Sequence, residues 1–125
     1  MKKLIVFVAL LLLLVACGGG DGDEGETAVL TVENYMQAKV DTDADTIRAL
    51  LCSEMEANAE RETLTFQGVD NPRIESMDCT FDGDATVSCT GQIIATYGTE
   101  DNAFPFTNYR VVQEDGEWKW CGEAY

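Results

Sequence analysis

Residues 73–97 read RIESMDCTFDGDATVSCTGQIIATY, and this stretch decides the fold. Polar and apolar residues alternate through much of it on both sides of the DGD at 82–84, as is typical of β-strands. Asp and Gly at the break favour a tight loop. The stretch therefore predicts two antiparallel strands, 73–81 and 85–97, joined as a hairpin.

The segments on either side of this hairpin complete an α+β pattern. Apolar residues recur at helical spacing over 28–40 and again up to about residue 59, which predicts two helices before the sheet. Thr42, with Asp45 three residues later, resembles a capping box for the second helix. Three further strands are predicted at 64–69, 104–114 and 117–122. We expect N-terminal helices packed on a curved antiparallel sheet.

The chain is strongly acidic. It has 125 residues, of which 23 are Asp or Glu, 8 are Lys or Arg and none is His, so its formal net charge is −15. Nucleic acid is a poor candidate partner because phosphate binding depends on Lys and Arg. Metal ions, basic peptides and cationic small molecules stay open as partners, although a solvated acidic surface explains the charge more simply.

The first seventeen residues indicate where the chain is sent. Lys2 and Lys3 precede an apolar run over 4–16, and LVA at 14–16 is followed by Cys17. A helix needs about 18 apolar residues to cross a bilayer, so this run suits a signal peptide better than an anchor. The pattern resembles a bacterial lipoprotein signal peptide with its lipobox. That resemblance implies cleavage after residue 16 and a diacylglycerol and an amide-linked acyl chain on Cys17.

The expected domain organisation follows from that cleavage. Residues 1–16 form the signal peptide, and their loss takes the net charge from −15 to −17 because two lysines and no acids leave. Residues 17–26 read CGGGDGDEGE, which predicts a lipidated cysteine and a flexible acidic tether. Residues 27–125 then form one small domain. The domain is expected on the outer face of the cell membrane, or on the outer membrane of a diderm, with the membrane as its partner through the lipid.

Cysteine usage agrees with a compartment outside the cytoplasm. Assigning Cys17 to lipid leaves four cysteines, which can form two disulfides in an oxidising environment. The hairpin makes Cys79 and Cys89 close diagonal neighbours, so we prefer that pair, together with Cys52 and Cys121, among three possible connectivities. Four free thiols are the alternative. A zinc site is disfavoured because the chain has neither a Cys-x-x-Cys pair nor a histidine.

Three short stretches carry a family resemblance. They are YMQA at 35–38, which is followed by Asp45, Ile47, Leu50 and Leu51, then DGDATV at 82–87 and EDGEWKW at 114–120. They resemble the nuclear transport factor 2-like (cystatin-like roll) superfamily, and especially small bacterial lipoproteins that carry this domain. The resemblance implies a cone-shaped pocket between helices and sheet. It leaves activity open, because the superfamily holds isomerases, dehydratases and hydrolases as well as members without enzymatic roles.

No residue is predicted to be catalytic or to hold a cofactor or a metal. The lack of histidine excludes histidine-dependent chemistry, and a carboxylate acting alone needs burial to raise its pKa. Asp78 falls on the strand face opposite Cys79, and Asp101 lies beside a strand, so neither receives a catalytic role. DTDAD at 41–45 begins like a calcium loop, but the following residues lack the required glycine and glutamate.

The aromatic residues of the last strands have two interpretations. They are Phe104, Phe106, Tyr109, Trp118 and Trp120. They could line a hydrophobic ligand pocket or an oligomer interface, although core packing is the simpler explanation in a domain this small.

The expected function is a lipid-anchored, non-catalytic module acting in binding or envelope organisation, with a small ligand or a protein as its partner. A carrier or sensor of a small apolar or cationic ligand is the first alternative. An isomerase-like or hydrolase-like enzyme using a carboxylate is the second. A filled core would support the first of these three functions, an apolar cavity the second, and a cavity with convergent polar groups the third.

Overall fold

A computed structural model describes residues 21–125, so the predicted signal peptide and Cys17 lie outside the described residues. The predicted fold class is confirmed: N-terminal helices pack against a curved, five-stranded antiparallel sheet. The helices are α1 (Asp21–Asp41), α2 (Ala44–Leu50), a 3-10 helix (Ser53–Asn58) and α3 (Ala59–Thr63). The strands are β1 (Asp70–Phe81), β2 (Thr86–Tyr97), β3 (Glu100–Pro105), β4 (Asn108–Glu114) and β5 (Glu117–Glu123).

The sheet has the order β1-β2-β4-β5, and β3 also pairs with β2. The start of β2 pairs with β4 and its later part pairs with β3, so one long strand serves two partners on the same side. The single strand predicted at 104–114 is therefore two strands. They separate where the N–H of Phe106 donates to the Gly91 carbonyl and the N–H of Cys89 donates to the Thr107 carbonyl.

The long β1–β2 hairpin bends near its middle. Its register shifts between Glu75 and Asp78, and Ser76 there has φ 55°. Gly91 lies across from this irregularity with φ +95°, and a Cβ at Gly91 would stand 2.4 Å from the Ser76 carbonyl oxygen. Only glycine permits so close a backbone approach, and such irregularities bend the strand that carries them. The bend helps to curve the sheet around the helices.

The first helix starts earlier than the sequence suggested. Its described part already includes Asp21, well before residue 28, so residues 21–26 of the expected tether 17–26 are helical. Gly25 lies beside β1, where a Cβ would make an ordinary van der Waals contact with the Phe81 ring at 3.6 Å.

The region after α1 also differs from the prediction. The cap of α2 is Asp43 and not Thr42: the Asp43 carboxylate accepts from the Thr46 N–H at 3.2 Å. The predicted second helix stops at Leu51, where the backbone becomes extended and bridges to Trp120 of β5. The segment 64–69, predicted as a strand, forms turns.

Two disulfides hold this arrangement together, and they are the pairs preferred from the sequence. Cys79 and Cys89 are directly opposite in the β1–β2 register, not diagonal, with Cα atoms 4.1 Å apart. Cys52 and Cys121 join the start of the 3-10 helix to β5 across a sequence separation of 69. In the chain-entropy account, a loop of this length stabilises by about 4.4 kcal/mol, against about 2.8 kcal/mol for the hairpin bridge.

We predict that Gly91→Ala will lower the free energy of unfolding by about 2–4 kcal/mol, because the added methyl collides with backbone as well as straining φ. Gly83→Ala is the matched control: its φ of +91° is nearly the same, but a Cβ there meets nothing within 4 Å. It should lose only about 1 kcal/mol. Urea denaturation of both variants measures the difference, and equal losses would contradict the close approach at Gly91.

Candidate functional site

A cavity of about 390 Å³ lies between the C-terminal part of α1 and the sheet, and we call it the aromatic cavity. Its wall is mainly apolar and is contributed by helices, turns and strands. The apolar lining includes Met36, Met55, Phe66, Ile93, Phe104, Phe106 and Trp120. One interpretation of the aromatic residues in the sequence was that they line a hydrophobic pocket, and the structure contains such a pocket.

Close packing around Gly122 shapes one wall of this cavity. Gly122 has φ +93°, and a Cβ at this residue would stand 3.1 Å from the Met55 sulfur. The nearby disulfide between Cys52 and Cys121 fixes β5 against the 3-10 helix that carries Met55. The opposite wall consists of Phe66 and Phe104, whose rings meet edge to face with centroids 5.6 Å apart.

One ion pair interrupts the apolar wall. Lys39 Nζ lies 3.2 Å from Glu62 Oε2, and the two side chains are 14% and 13% exposed. The same ammonium lies 6.0 Å from the ring centroid of Tyr35 and 5.9 Å from that of Trp120. A cation at this distance is attracted to the ring faces. The pair therefore adds polarity to the cavity without adding net charge.

Tyr35 and Trp120 stack beside this pair, with centroids 4.0 Å apart and planes 13° from parallel. Both side chains are buried, and within residues 21–125 neither the Tyr35 hydroxyl nor Trp120 Nε1 has a hydrogen-bond partner. Burial raises the pKa of Tyr35 far above its usual value, and the charge of Glu62 adds to this effect, although its carboxylate makes no well-formed hydrogen bond to the hydroxyl. Tyr35 is thus a neutral phenol at physiological pH.

A second, larger cavity of about 520 Å³ lies between the α2–α3 region and the β4–β5 turn. Its rim is charged: Arg48, Glu56, Glu60, Glu114, Asp115, Glu117 and Lys119. Several of these groups already have protein partners. Glu114 accepts from the backbone N–H and the hydroxyl of Ser53, which lowers its pKa, and Lys119 donates to the Ala49 carbonyl. Much of the wall of this larger cavity is therefore charged and not apolar, and some of its polar groups are already bonded to the protein and are not free to bind a ligand.

The residues singled out from the sequence lie away from the aromatic cavity, apart from the aromatic group. Asp78 and Asp101 are exposed, and Asp101 bonds to Thr96 and Arg73. Of the aromatic group, Trp118 packs on Phe81 and does not line the cavity, whereas Phe104, Phe106, Tyr109 and Trp120 do.

One cluster resembles a metal site only in residue type. Ligand atoms of Cys52, Glu54 and Cys121 lie within 4.8 Å of one another. However, the two sulfurs are joined in a disulfide, and the Glu54 carboxylate pairs with Arg110 at 2.7 Å. Neither sulfur is available as a thiolate, which is the form that binds metals.

Sequence reasoning missed the polar part of the cavity. Tyr35 and Lys39 are four residues apart on α1, so a shared helix face was the one signal that linked them. Glu62 meets them because α3 turns back toward α1, and no local pattern in the sequence indicates that contact.

No known protein family matches this chain, and no curated protein matches it either. Within residues 21–125, no helix has both the length and the apolar character needed to cross a membrane.

The two buried tyrosines give a test of the unpaired hydroxyl. Tyr35→Phe should leave the free energy of unfolding at pH 7 unchanged or slightly higher, because no hydrogen bond is lost. Tyr109→Phe is the control. Its hydroxyl accepts from the Thr107 N–H at 3.2 Å, so this variant should lose about 1 kcal/mol.

The pH dependence provides a second measurement. Because the folded pKa of Tyr35 is raised, the native state keeps a proton that the unfolded chain releases above about pH 10. Stability should therefore fall as the pH rises above 10, and should fall less steeply in Tyr35→Phe. Parallel pH profiles in the wild type and this variant would contradict the raised pKa.

Proposed function

We propose that the chain is a lipid-anchored extracytoplasmic protein of the nuclear transport factor 2-like type that binds a small, mostly apolar ligand in the aromatic cavity. The observation that carries this proposal is the cavity itself: about 390 Å³ of space lined mainly by aromatic and methionine side chains, with one ion pair and the exposed Glu123. Ligand sites in proteins have this size range and this mixture of apolar wall and few polar groups.

The cavity favours the carrier or sensor over a module with a filled core. Methionine side chains such as Met36 and Met55 adapt their shape readily, which suits a wall that must close around a ligand. Binding therefore needs no large rearrangement of the sheet. A domain of this size would gain stability by filling such a space with side chains, so the retained cavity supports a role in binding.

The ion pair defines the chemistry of the ligand. Removing either partner from a partly buried pair leaves an uncompensated charge, so a ligand that kept Lys39 and Glu62 together would bind best. An ammonium has three N–H donors, and within the described residues Lys39 has one hydrogen bond, to Glu62. A neutral hydroxyl or carbonyl oxygen can accept from the remaining donors. The ligand class is thus an apolar body with one neutral acceptor.

Binding also fits these residues better than acid–base catalysis. Lys39 and Glu62 neutralise each other, and the buried Tyr35 phenol stays protonated at physiological pH. A general base needs a pKa near the working pH and a free lone pair directed at the substrate. Lys39 and Glu62 are instead committed to one another, and Glu123, a third charged residue of the lining, is exposed to water.

The anchor part of the proposal depends on the lipobox and on redox chemistry. LVA followed by Cys17, behind an apolar run, is the signal. Two disulfides within one small domain support residence in an oxidising compartment, where such bonds persist.

Binding is tested with 2-naphthol, an apolar double ring with one hydroxyl, by calorimetry. We expect saturable 1:1 binding to the oxidised protein. Phe104→Ser at the cavity wall should raise the dissociation constant about tenfold, because it removes aromatic contact area. Leu30→Ser is the matched control: Leu30 is 47% exposed against 40% for Phe104, but it does not line the cavity. Equal weakening by both variants, or no saturable binding, would contradict the site.

The anchor is tested by expressing the full chain in a bacterial host. The wild type should enter the detergent phase in a Triton X-114 partition and carry the mass of the lipid on Cys17. Cys17→Ser should carry no lipid mass and should keep residues 1–16, because neither the acyl chains nor the mature N-terminus would form. Gly18→Ser, which keeps Cys17, serves as the control. A lipid mass on Cys17→Ser, or a wild type without lipid on Cys17, would contradict the proposal that this residue is the anchor.

A further inference from the structure

An irregularity in β5 changes the face of the sheet on which its last residues lie. Val111 of β4 is opposite Trp120 of β5. A regular antiparallel ladder would then place Gly122 opposite Tyr109, but the residue opposite Tyr109 is Glu123. The β5 strand therefore carries one extra residue, a β-bulge, and such bulges re-aim the side chains that follow them.

The bulge brings the carboxylate of Glu123 to the aromatic cavity. Residues directly opposite each other point to the same face of a sheet, and Tyr109 belongs to the buried core between sheet and helices. Glu123 accordingly lines the cavity together with Tyr109 and Trp120. Burial is the main cause that raises the pKa of the Tyr109 hydroxyl, and the nearby negative charge of Glu123 adds to it. Without the extra residue, alternation would turn Glu123 to the outer face of the sheet.

Glu123 is a free carboxylate at the edge of the cavity. It is exposed to water, and within residues 21–125 no lysine or arginine forms an ion pair with it. Lys39 and Glu62, the other charged residues of the lining, neutralise each other. The side chains of the cavity therefore carry one net negative charge, and this charge lies where the cavity meets water.

We propose that Glu123 is a specificity-determining residue that selects an ammonium group, so that the ligand of the aromatic cavity is an apolar amine. This inference rests on the proposed binding function and adds a positive group to the apolar body and neutral acceptor described above. An ammonium beside Glu123 would also meet an aromatic wall, and ring faces attract cations. The domain as a whole is strongly acidic, which attracts cations and repels anions at longer range.

The proposal is tested by calorimetry at pH 7 with three ligands that share one ring system. They are 2-naphthol and its two derivatives that carry an aminomethyl or a carboxylate group on the ring without the hydroxyl. The oxidised wild type should bind the aminomethyl compound about fivefold more tightly than 2-naphthol, which is the gain from one partly exposed ion pair. The carboxylate compound should bind more weakly than 2-naphthol. Both differences should shrink at high salt, because ions screen exposed charges.

Two variants and a control assign this preference to one carboxylate. Glu123→Gln should abolish the preference for the aminomethyl compound and leave the dissociation constant of 2-naphthol within about twofold, whereas Glu123→Lys should favour the carboxylate compound. Glu100→Gln is the matched control: Glu100 is also exposed, and its loss removes the same charge, but it does not line the cavity. It should keep the wild-type preference.

The outcomes separate this inference from the proposed function. If the wild type binds all three ligands equally, or if Glu123→Gln keeps the preference for the amine, the role of Glu123 is overturned while 2-naphthol binding still supports the cavity as a site. Equal loss of preference in Glu100→Gln and Glu123→Gln would attribute the effect to the overall charge and would also overturn that role. Absence of 2-naphthol binding to the wild type would remove the proposed function and this inference together.

Discussion

The stack of Tyr35 on Trp120 is the contact on which the rest of the structure depends. It joins α1 to β5, the first and last elements of the described chain, through two large buried rings with centroids 4.0 Å apart. Aromatic pairs contribute beyond their buried area. The backbone beside Trp120 is held as well, because its carbonyl accepts from the Cys52 N–H at 2.9 Å and its neighbour Cys121 is bonded to Cys52. Helix and sheet are thus fixed at one point.

The stack of Tyr35 on Trp120 includes buried polar groups that lack hydrogen-bond partners within the described residues. The Tyr35 hydroxyl and Trp120 Nε1 are buried without partners in the described part of the chain, and an unpaired buried donor costs about 1–3 kcal/mol. Lys39 and Glu62 beside them are partly removed from water. Proteins tend to break local rules of this kind at functional sites and compensate for them elsewhere. Here the two disulfides offer such compensation. The unpaired polar groups lie beside the cavity, and this coincidence supports a binding role.

Local patterns predicted the elements whose partners are near in sequence. Alternation and the DGD turn predicted the hairpin, which places Cys79 opposite Cys89. The break at Leu51 depends on pairing with Trp120 far along the chain, so helical spacing alone extended the second helix too far. Alternation also suggested a strand at 64–69, but Gly68 has φ +80° and the segment forms turns, with Phe66 lining the cavity.

The helical start of α1 and the polar part of the cavity depend on distant contacts in the same way. Glycine and acidic residues at 21–26 favour a tether when they are considered alone, yet Gly25 packs against Phe81 and continues the helix. Glu62 reaches Lys39 across 23 positions of sequence.

The same long-range contacts make the two sides of the cavity differ in rigidity. Near β5, the wall is fixed covalently by the disulfide between Cys52 and Cys121. On the far side, Phe66 and Phe104 meet through an edge-to-face contact, and such contacts are worth about 0.5–1.5 kcal/mol. Widening the cavity therefore costs less on the phenylalanine side. A ligand larger than the empty cavity would be accommodated there, while the stack and the ion pair keep their positions.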